Sequence, residues 1–363
     1  MNGRPSPSAR PASQPGSRTV HIVSRFGTAS RGGVERVADL LARSLRADGE
    51  RVEIIDEARV LPPLLRNPRI AQFVFPVFAS VHLSRLRRRD GAFKVISNGS
   101  YAAFYPADAV IMHGSASGYV AAMRGRTGRM LGMRLMGKLE VCAMRRSRHV
   151  VCVSDALQRY VVSEQGIAPA KCSVAYNGVL VSEAPPAPRF GAGPVRLGFA
   201  GRLEYGKGVD FLIDLAQRIN GRQDVRLVLA AIGHVPQALR DNPNVDVLQG
   251  LGADDMQAFY DRIDVFILPT LFEGFELVTL EALAAGVPVM GRPLGACGLL
   301  LERKVPWVAR LPDEAGTLLA DLGATVTHFR QHADGAAMKA YVKVNFPIEA
   351  FCARIKAAAA MEA

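Results

Sequence analysis

The run Val265-Phe266-Ile267-Leu268-Pro269, followed within a few residues by Glu273-Gly274-Phe275-Glu276-Leu277-Val278-Thr279-Leu280-Glu281, constrains this chain more than any other stretch. Its length, β-branched content and proline stop predict the end of a buried strand. The pattern then changes to that of a helix, expected from about Leu277 to Ala285 and stopped at Gly286. Glu273 falls in the strand-to-helix turn and Glu281 inside the helix. Gly274 allows close approach of the backbone to a ligand, and the free N–H groups of the first helical turn point into the same space. Free amides and the positive end of a helix dipole suit an anion such as a diphosphate, and carboxylates accept hydrogen bonds from sugar or ribose hydroxyls. The plain alternative is a surface helix carrying two solvated glutamates.

The surrounding residues decide between these. The order Glu-Gly-Phe, seven residues between Glu273 and Glu281, then Ala285-Gly286-Val287-Pro288-Val289 closely resembles the nucleotide-sugar signature of the retaining family 4 glycosyltransferases. It departs from the commonest form at Glu276, where Gly or Pro is frequent, and at Val278, often Pro.

Strand, turn and helix alternate on both sides of this stretch, which makes the chain α/β. Thr19–Ser24 reads as a first strand and Val34–Leu45 as an amphipathic helix, with a glycine-rich turn from Arg25 to Gly33 between them. Gly32-Gly33-Val34-Glu35 resembles the first-strand loop of the same transferases. Further strands are expected at 51–56, 93–97, 109–112, 150–153 and 172–176. The strand at 109–112 delivers His113 at a carboxyl end, where open α/β sheets bind ligands. Proline and glycine density after Ser182 marks a linker. Beyond it the alternation restarts with Arg196–Phe199, the turn Gly201-Arg202-Leu203-Glu204-Tyr205-Gly206-Lys207-Gly208 and a helix over 209–219. Arg202 can grip phosphate oxygens through its planar fork and Lys207 as a point charge. The Gly-Arg and Lys-Gly spacing matches the family's diphosphate-binding turn. Strands at 225–231 and 245–249 complete the expected set.

These readings divide the chain into a disordered tail (1–18), a first Rossmann-like domain (19–184), a linker (185–194), a second Rossmann-like domain (195–345) and a C-terminal segment (346–363) whose helix, by the resemblance, crosses back to the first domain. A length of 363 residues and 49% hydrophobic content suffice for two cores. No run reaches the ~18 apolar residues that span a bilayer. The first eighteen residues lack the apolar centre of a signal peptide. The five cysteines have no metal-ligand spacing, which together with their odd number suggests a cytoplasmic protein without a disulfide framework.

The net charge of +12 is unevenly placed: residues 1–190 carry 28 Lys+Arg against 13 Asp+Glu. Much of the excess falls on a helical stretch expected from Tyr119 to His149, with Arg124, Arg126, Arg129, Arg134, Lys138, Arg145, Arg146 and Arg148 on one side and Met and Leu on the other. Basic amphipathic stretches attract anionic lipid headgroups. Nucleic acid competes for such a surface, but no recognition module and no interleaved aromatics accompany it. A peripheral contact with an anionic membrane, at the inner face of the cytoplasmic membrane, is therefore expected, and no nucleic acid.

The resemblance implies GT-B architecture, two Rossmann-like domains with parallel sheets facing across a cleft. It implies transfer of a sugar, with retention, from a nucleoside diphosphate to a hydroxyl of a glycan or lipid-linked acceptor, as in cell-surface polysaccharide or lipopolysaccharide biosynthesis. UDP-sugar is the expected donor; no cofactor and no metal is expected, since there is no Asp-x-Asp motif and Arg, Lys and helix dipoles can stabilise the leaving diphosphate. His113, Arg202, Lys207 and Glu273 are the implied catalytic residues. Gly32, Gly33, Gly274, Phe275, Glu276, Leu277 and Glu281 would bind the donor with Arg202 and Lys207. A sugar-nucleotide epimerase or phosphorylase of the same architecture, and a non-catalytic nucleotide-sugar-binding protein, stay open at this point.

Overall fold

The structure, a computed structural model, describes residues 18–28, 32–123, 130–252 and 255–361. The expected tail over 1–17, Ala29, Ser30 and Arg31 of the glycine-rich turn, and Arg124, Arg126 and Arg129 lie outside the described residues.

Two six-stranded parallel sheets make up the chain. The first holds β1 (Thr19–Val23), β2 (Arg51–Ile55), β3 (Lys94–Ser97), β4 (Ala109–Met112), β5 (His149–Cys152) and β6 (Cys172–Val174), in the order β2-β1-β3-β4-β5-β6. The second holds β7 (Val195–Arg202), β8 (Val225–Ile232), β9 (Val245–Gln249), β10 (Val265–Leu268), β11 (Val289–Gly291) and β12 (Val308–Arg310), in the order β12-β11-β10-β7-β8-β9. All ladders are parallel, as in β4 beside β5 and β7 beside β8. Strands covered by helices on both faces must be apolar throughout, and β4 and β10 are buried at every residue. Each Val, Ile, Leu or Phe so buried contributes roughly 1.5–3 kcal/mol.

Strand order fixes where a ligand can sit. A crevice opens outside the carboxyl ends of neighbouring strands whose connections leave in opposite directions. In the first sheet that point lies between β1 and β3, which places Gly33 and Asn98 beside it. In the second it lies between β7 and β10, flanked by the 203–208 turn and by residues 269–276. The two crevices face each other: a Cβ on Gly33 would meet the Leu277 side chain at 3.6 Å.

The C-terminal segment returns to the first domain. Val179 donates to the Phe346 carbonyl at 3.1 Å and the Ile348–Ala358 helix packs on the Gly33–Ala47 helix, where Lys356 reaches the Ser44 hydroxyl at 2.8 Å.

Several elements differ from the sequence-based expectation. The stretch from Tyr119 to His149 comprises two helices, Ala116–Met123 and Met130–Arg146, and His149 opens β5 by pairing with Ala109. β11 and β12 are three-residue strands, too short to show a period of their own. An arginine-rich helix ending at residues 84–89 is expected from the sequence and is present as Pro68–Asp90; it runs 23 residues through Pro76, because a proline removes only one N–H and this helix is held against the sheet by buried Phe75, Ala79 and Leu83. Among the described residues no helix is long and apolar enough to cross a membrane.

Candidate active site

The site grows from the turn after β10. Pro269 ends the strand, and Thr270 is fully buried with its hydroxyl directed to the Gly206 carbonyl at 3.1 Å and to Glu273 Oε1 at 3.1 Å. Lys207, from the turn after β7, forms an ion pair with the same Glu273 oxygen. The two strands that flank the crevice thus each supply one half of a part-buried cation–carboxylate pair. Gly208 makes this approach possible: its φ is +82°, and a Cβ there would collide with the Pro269 backbone.

Gly274 packs directly against the first domain. A Cβ on it would fall far inside contact distance of the His113 carbonyl oxygen and 3.3 Å from the Gly114 Cα. Phe272 packs edge-on to Tyr119 at 5.9 Å, and Asn177 donates to the Phe275 carbonyl at 3.0 Å, while Tyr176 stacks on the Phe275 ring at 5.4 Å. The turn between Glu273 and Glu276 is therefore clamped by the first domain from both sides.

His113 stands at the carboxyl end of β4, and its Nε2 lies 2.8 Å from Asn98 Oδ1. Asn98 is fully buried and its amide nitrogen donates to the Val34 carbonyl at 2.9 Å, so its oxygen is left to accept. His113 then carries its proton on Nε2 and presents Nδ1 as an acceptor. Desolvation pushes its imidazole down to about 4, so the ring is neutral near pH 7. Protonation is easier in the unfolded chain, whose ordinary value is 6.5. The neutral ring thus contributes stability fully above that pH, and the contribution is lost as pH falls towards about 4; such a depression is worth about 3 kcal/mol, at about 1.4 kcal/mol per pH unit. In denaturant unfolding measured from pH 7 to pH 4, His113→Gln is expected to show a shallower acid loss of stability than the parent chain. Parallel curves would refute the assignment.

Glu281 faces the cleft from the Leu277–Ala284 helix, but its carboxylate is engaged. Arg36, one turn into the Gly33–Ala47 helix, pairs with Oε1 at 2.5 Å, and the buried Tyr260 hydroxyl donates to Oε2 at 3.3 Å. Burial and the Glu281 charge raise the Tyr260 phenol well above its ordinary value, so it stays a hydrogen-bond donor. Arg36 thus bridges the two domains at this end of the cleft.

Glu276 is 7% exposed, and its carboxylate accepts the N–H groups of Ala296 at 3.0 Å and Cys297 at 2.8 Å and the Thr279 hydroxyl at 2.9 Å. These amides open the Gly295–Glu302 helix, so Glu276 fills an anion seat from within the protein. Burial, then the neighbouring Glu273 charge, push its carboxyl up to about 7. Gly295 has to be glycine here, since its φ is +55° and a Cβ would run into the Glu276 carboxylate.

The structure therefore gathers Lys207, Glu273, Gly274, Phe275 and Leu277 with Gly33 and the His113 backbone in one cleft. Gly32 precedes Gly33 as the N-cap of the first helix. Arg202 stands apart, largely exposed and paired with Glu204 at 3.3 Å. Arg36, Asn98, Tyr260 and Thr270 were not singled out from sequence. Asn98 could have been, as a polar residue just past the end of a strand, by the same reasoning that found His113. Arg36 carried a weaker signal, a cation one turn after two glycines at a helix start.

Comparison with known proteins agrees with the two-domain fold. A family model described as glycosyltransferase family 4 matches residues 31–183, and one described as glycosyl transferases group 1 matches residues 194–322. The chain is 34% identical to a GDP-mannose-dependent alpha-mannosyltransferase of Corynebacterium glutamicum over 135 residues, 34% of this chain and 32% of that protein. It is 27% identical to the phosphatidylinositol N-acetylglucosaminyltransferase gpi3 subunit of Schizosaccharomyces pombe over 211 residues, 55% of this chain and 46% of that protein. These matches span less than half the length of either relative. Among solved structures, sucrose-phosphate synthase from Thermosynechococcus elongatus superposes with a TM-score of 0.76 at 16% identity, covering 94% of this chain and 98% of that one. WaaG, a glycosyltransferase involved in lipopolysaccharide biosynthesis, superposes with a TM-score of 0.70 at 16% identity, covering 94% and 99%. With one family model on each of two facing Rossmann-like domains, the chain belongs to the GT-B glycosyltransferases of the group 1, family 4 type.

Proposed function

We propose that this chain transfers a sugar, with retention, from a nucleoside diphosphate to a hydroxyl of a glycan or lipid-linked acceptor. The observation that carries the reading is the meeting of Lys207 and Glu273 at the switch point of the second sheet, under the His113–Gly274 contact with the first domain. A GDP-mannose-dependent relative and a structural neighbour solved with UDP-glucose support a nucleotide-sugar donor, and we favour a UDP-sugar. WaaG supports an acceptor of the lipopolysaccharide kind.

The chemistry asks for three things of this chain. The diphosphate must be held as it leaves, which falls to Lys207, to Arg202 once it exchanges Glu204 for phosphate, and to the free amides at Gly33 and at the start of the Leu277–Ala284 helix. The sugar must be oriented, which falls to Glu273 and to Nδ1 or the backbone of His113. The ribose falls to Glu281, whose Arg36 partner then faces the cleft. The C1–O bond to the diphosphate breaks, the acceptor oxygen bonds to C1 on the same face, and its proton passes to the departing phosphate oxygen. No side chain is assigned as a general base, and no divalent ion is given a role; transfer that persists in EDTA would agree with this.

A thermal-shift screen of UDP-, GDP- and ADP-sugars tests the reading. A ligand at 100 times its dissociation constant adds about 2.7 kcal/mol of stability. One donor is expected to raise the melting temperature clearly, with the shift lost in Arg202→Ala and Lys207→Ala and an α-linked product formed from an α-linked donor. Absence of any shift, or an inverted product, would overturn it.

A further inference from the structure

The outer face of the first domain carries a feature the cleft does not use. After Pro76 in the Pro68–Asp90 helix, Val77, Val81, Ser84 and Arg88 follow at i, i+4, i+7 and i+11 and share one side of the helix. All four are exposed, and Phe78 beside them is 36% exposed. The neighbouring Phe104, whose N–H is held by the Ser80 hydroxyl at 3.1 Å, is 43% exposed. The Met130–Arg146 helix lies alongside, since a Cβ on Gly132 would meet the Phe73 ring at 3.4 Å, and it adds Leu131 at 82% and Leu135 at 46% exposure. Scattered exposed apolar residues need no explanation, but a contiguous set on two adjoining helices marks a binding surface.

One end of this face is built for an anion. Ser84, Arg87 and Arg88, with Tyr105 and Arg148, line a cavity of about 320 Å³. The carboxylate that shares it, Asp108, already accepts the Val95 N–H at 2.9 Å and pairs with Lys94 at 3.4 Å as well as with Arg148 at 3.4 Å. Three guanidinium groups against one committed carboxylate leave a surplus of positive charge, and Arg forks match phosphate oxygens. Arg134, Lys138 and Arg145 are exposed along the second helix.

The position of this face relates it to the cleft. The Pro68–Asp90 helix ends shortly before β3 begins at Lys94, so its basic end lies at the amino ends of the strands. Its apolar length runs from there towards the carboxyl ends, where the cleft opens. We propose that this face rests on an anionic phospholipid surface, with a headgroup phosphate in the cavity between Arg87, Arg88 and Arg148 and the apolar side chains set into the acyl boundary beside it. The proposal deepens the reading of a lipid-linked acceptor and rests on it, since a protein lying this way presents its cleft at the membrane. A nucleic acid would satisfy the same charges and find stacking partners in Phe78 and Phe104, but gives no role to the aliphatic Val77, Val81, Leu131 and Leu135, which make up most of the exposed apolar set.

Flotation of the full chain with phosphatidylcholine vesicles, with and without phosphatidylglycerol, tests it. Binding is expected only with phosphatidylglycerol and is expected to fall with salt. Arg88→Ala combined with Arg148→Ala should weaken it about thirtyfold, about fivefold for each charge. Phe78→Ser with Leu131→Ser should weaken it with the charges intact. All four positions are exposed, and the donor-induced thermal shift should be unchanged in every variant. Equal binding to neutral vesicles, no effect of the arginine pair, or binding of a single-stranded oligonucleotide in place of the vesicles would overturn the proposal. A missing donor shift with this vesicle pattern intact would instead count against the transferase reading alone.

Discussion

Lys207→Ala is expected to lower turnover with the preferred donor by about 10²–10³-fold, the loss seen when one preorganised group that stabilises a developing anion is removed. Lys207 meets the Glu273 carboxylate at the mouth of the crevice, and both side chains are largely shielded from water, at 29% and 12% exposure. Low exposure makes the lysine more effective on a departing phosphate, since a charge held in place needs no reorganisation at the moment of bond breaking. It also means that the variant strands Glu273 with only the Thr270 hydroxyl as partner. Breaking one side of a shielded pair is destabilising by up to about 3–5 kcal/mol in a fully buried site, and less here because both groups retain some water. A double-mutant cycle with Glu273→Gln separates these effects. Glu273→Gln lowers turnover by itself, because Glu273 orients the sugar, so the double variant is read against that single variant. If Lys207 acts on the diphosphate, turnover in the double variant falls well below that of Glu273→Gln while stability recovers. If its role is only to satisfy Glu273, the double variant turns over as fast as Glu273→Gln alone, and the catalytic assignment fails.

The legibility of this site in the sequence follows the range of the interactions. Lys207, Glu273, Gly274 and Glu281 stand in local patterns, a turn after a strand or a helix start, whose geometry is set within a few residues. Short apolar runs such as Val265–Leu268 and Ala109–Met112 reveal buried parallel strands because no residue in them could face water. Arg36 is a different case. Its partner Glu281 lies 245 residues away, and no local rule ties them. Glu276 was read as a donor-binding position from its place in the motif. That its carboxylate closes the amino end of another helix depends on Gly295 and the amides of Ala296 and Cys297, twenty residues on. The Pro68–Asp90 helix is legible at its arginine-rich end, residues 84–89, but not at its start, because Pro76 and an outer face left apolar weaken the amphipathic pattern by which a helix is ordinarily found.

Gly274→Ala should lower transfer by at least about 10²-fold while leaving nucleotide binding in place. The added methyl would meet the His113 carbonyl and the Gly114 backbone, both in the opposite domain, so no side-chain rotation can relieve the overlap. Overpacking of 1–3 kcal/mol is typical where side chains can yield. Here the turn or the whole domain must move instead. Lys207, Arg202 and Glu281, which carry most of the hold on the nucleotide, sit in the second domain and keep their places, while the Gly33 amides and the Arg36 partner of Glu281 move with the first. What is lost is the placement of His113 and Gly33 against the turn that carries Glu273, and a misplacement of about 1 Å at a reacting centre can reduce rate by about 10²-fold. The expected result is therefore a dissociation constant for free nucleotide diphosphate close to that of the parent chain, with turnover at least about 10²-fold lower. Small-angle scattering should show a more open chain. Gly286→Ala serves as a comparison, since its added Cβ would strain a turn of the second domain against Pro186 of the linker without touching His113. Turnover close to the parent value in Gly274→Ala would mean that the domains react in a more open arrangement, and that the His113–Gly274 contact belongs to the resting cleft and not to catalysis.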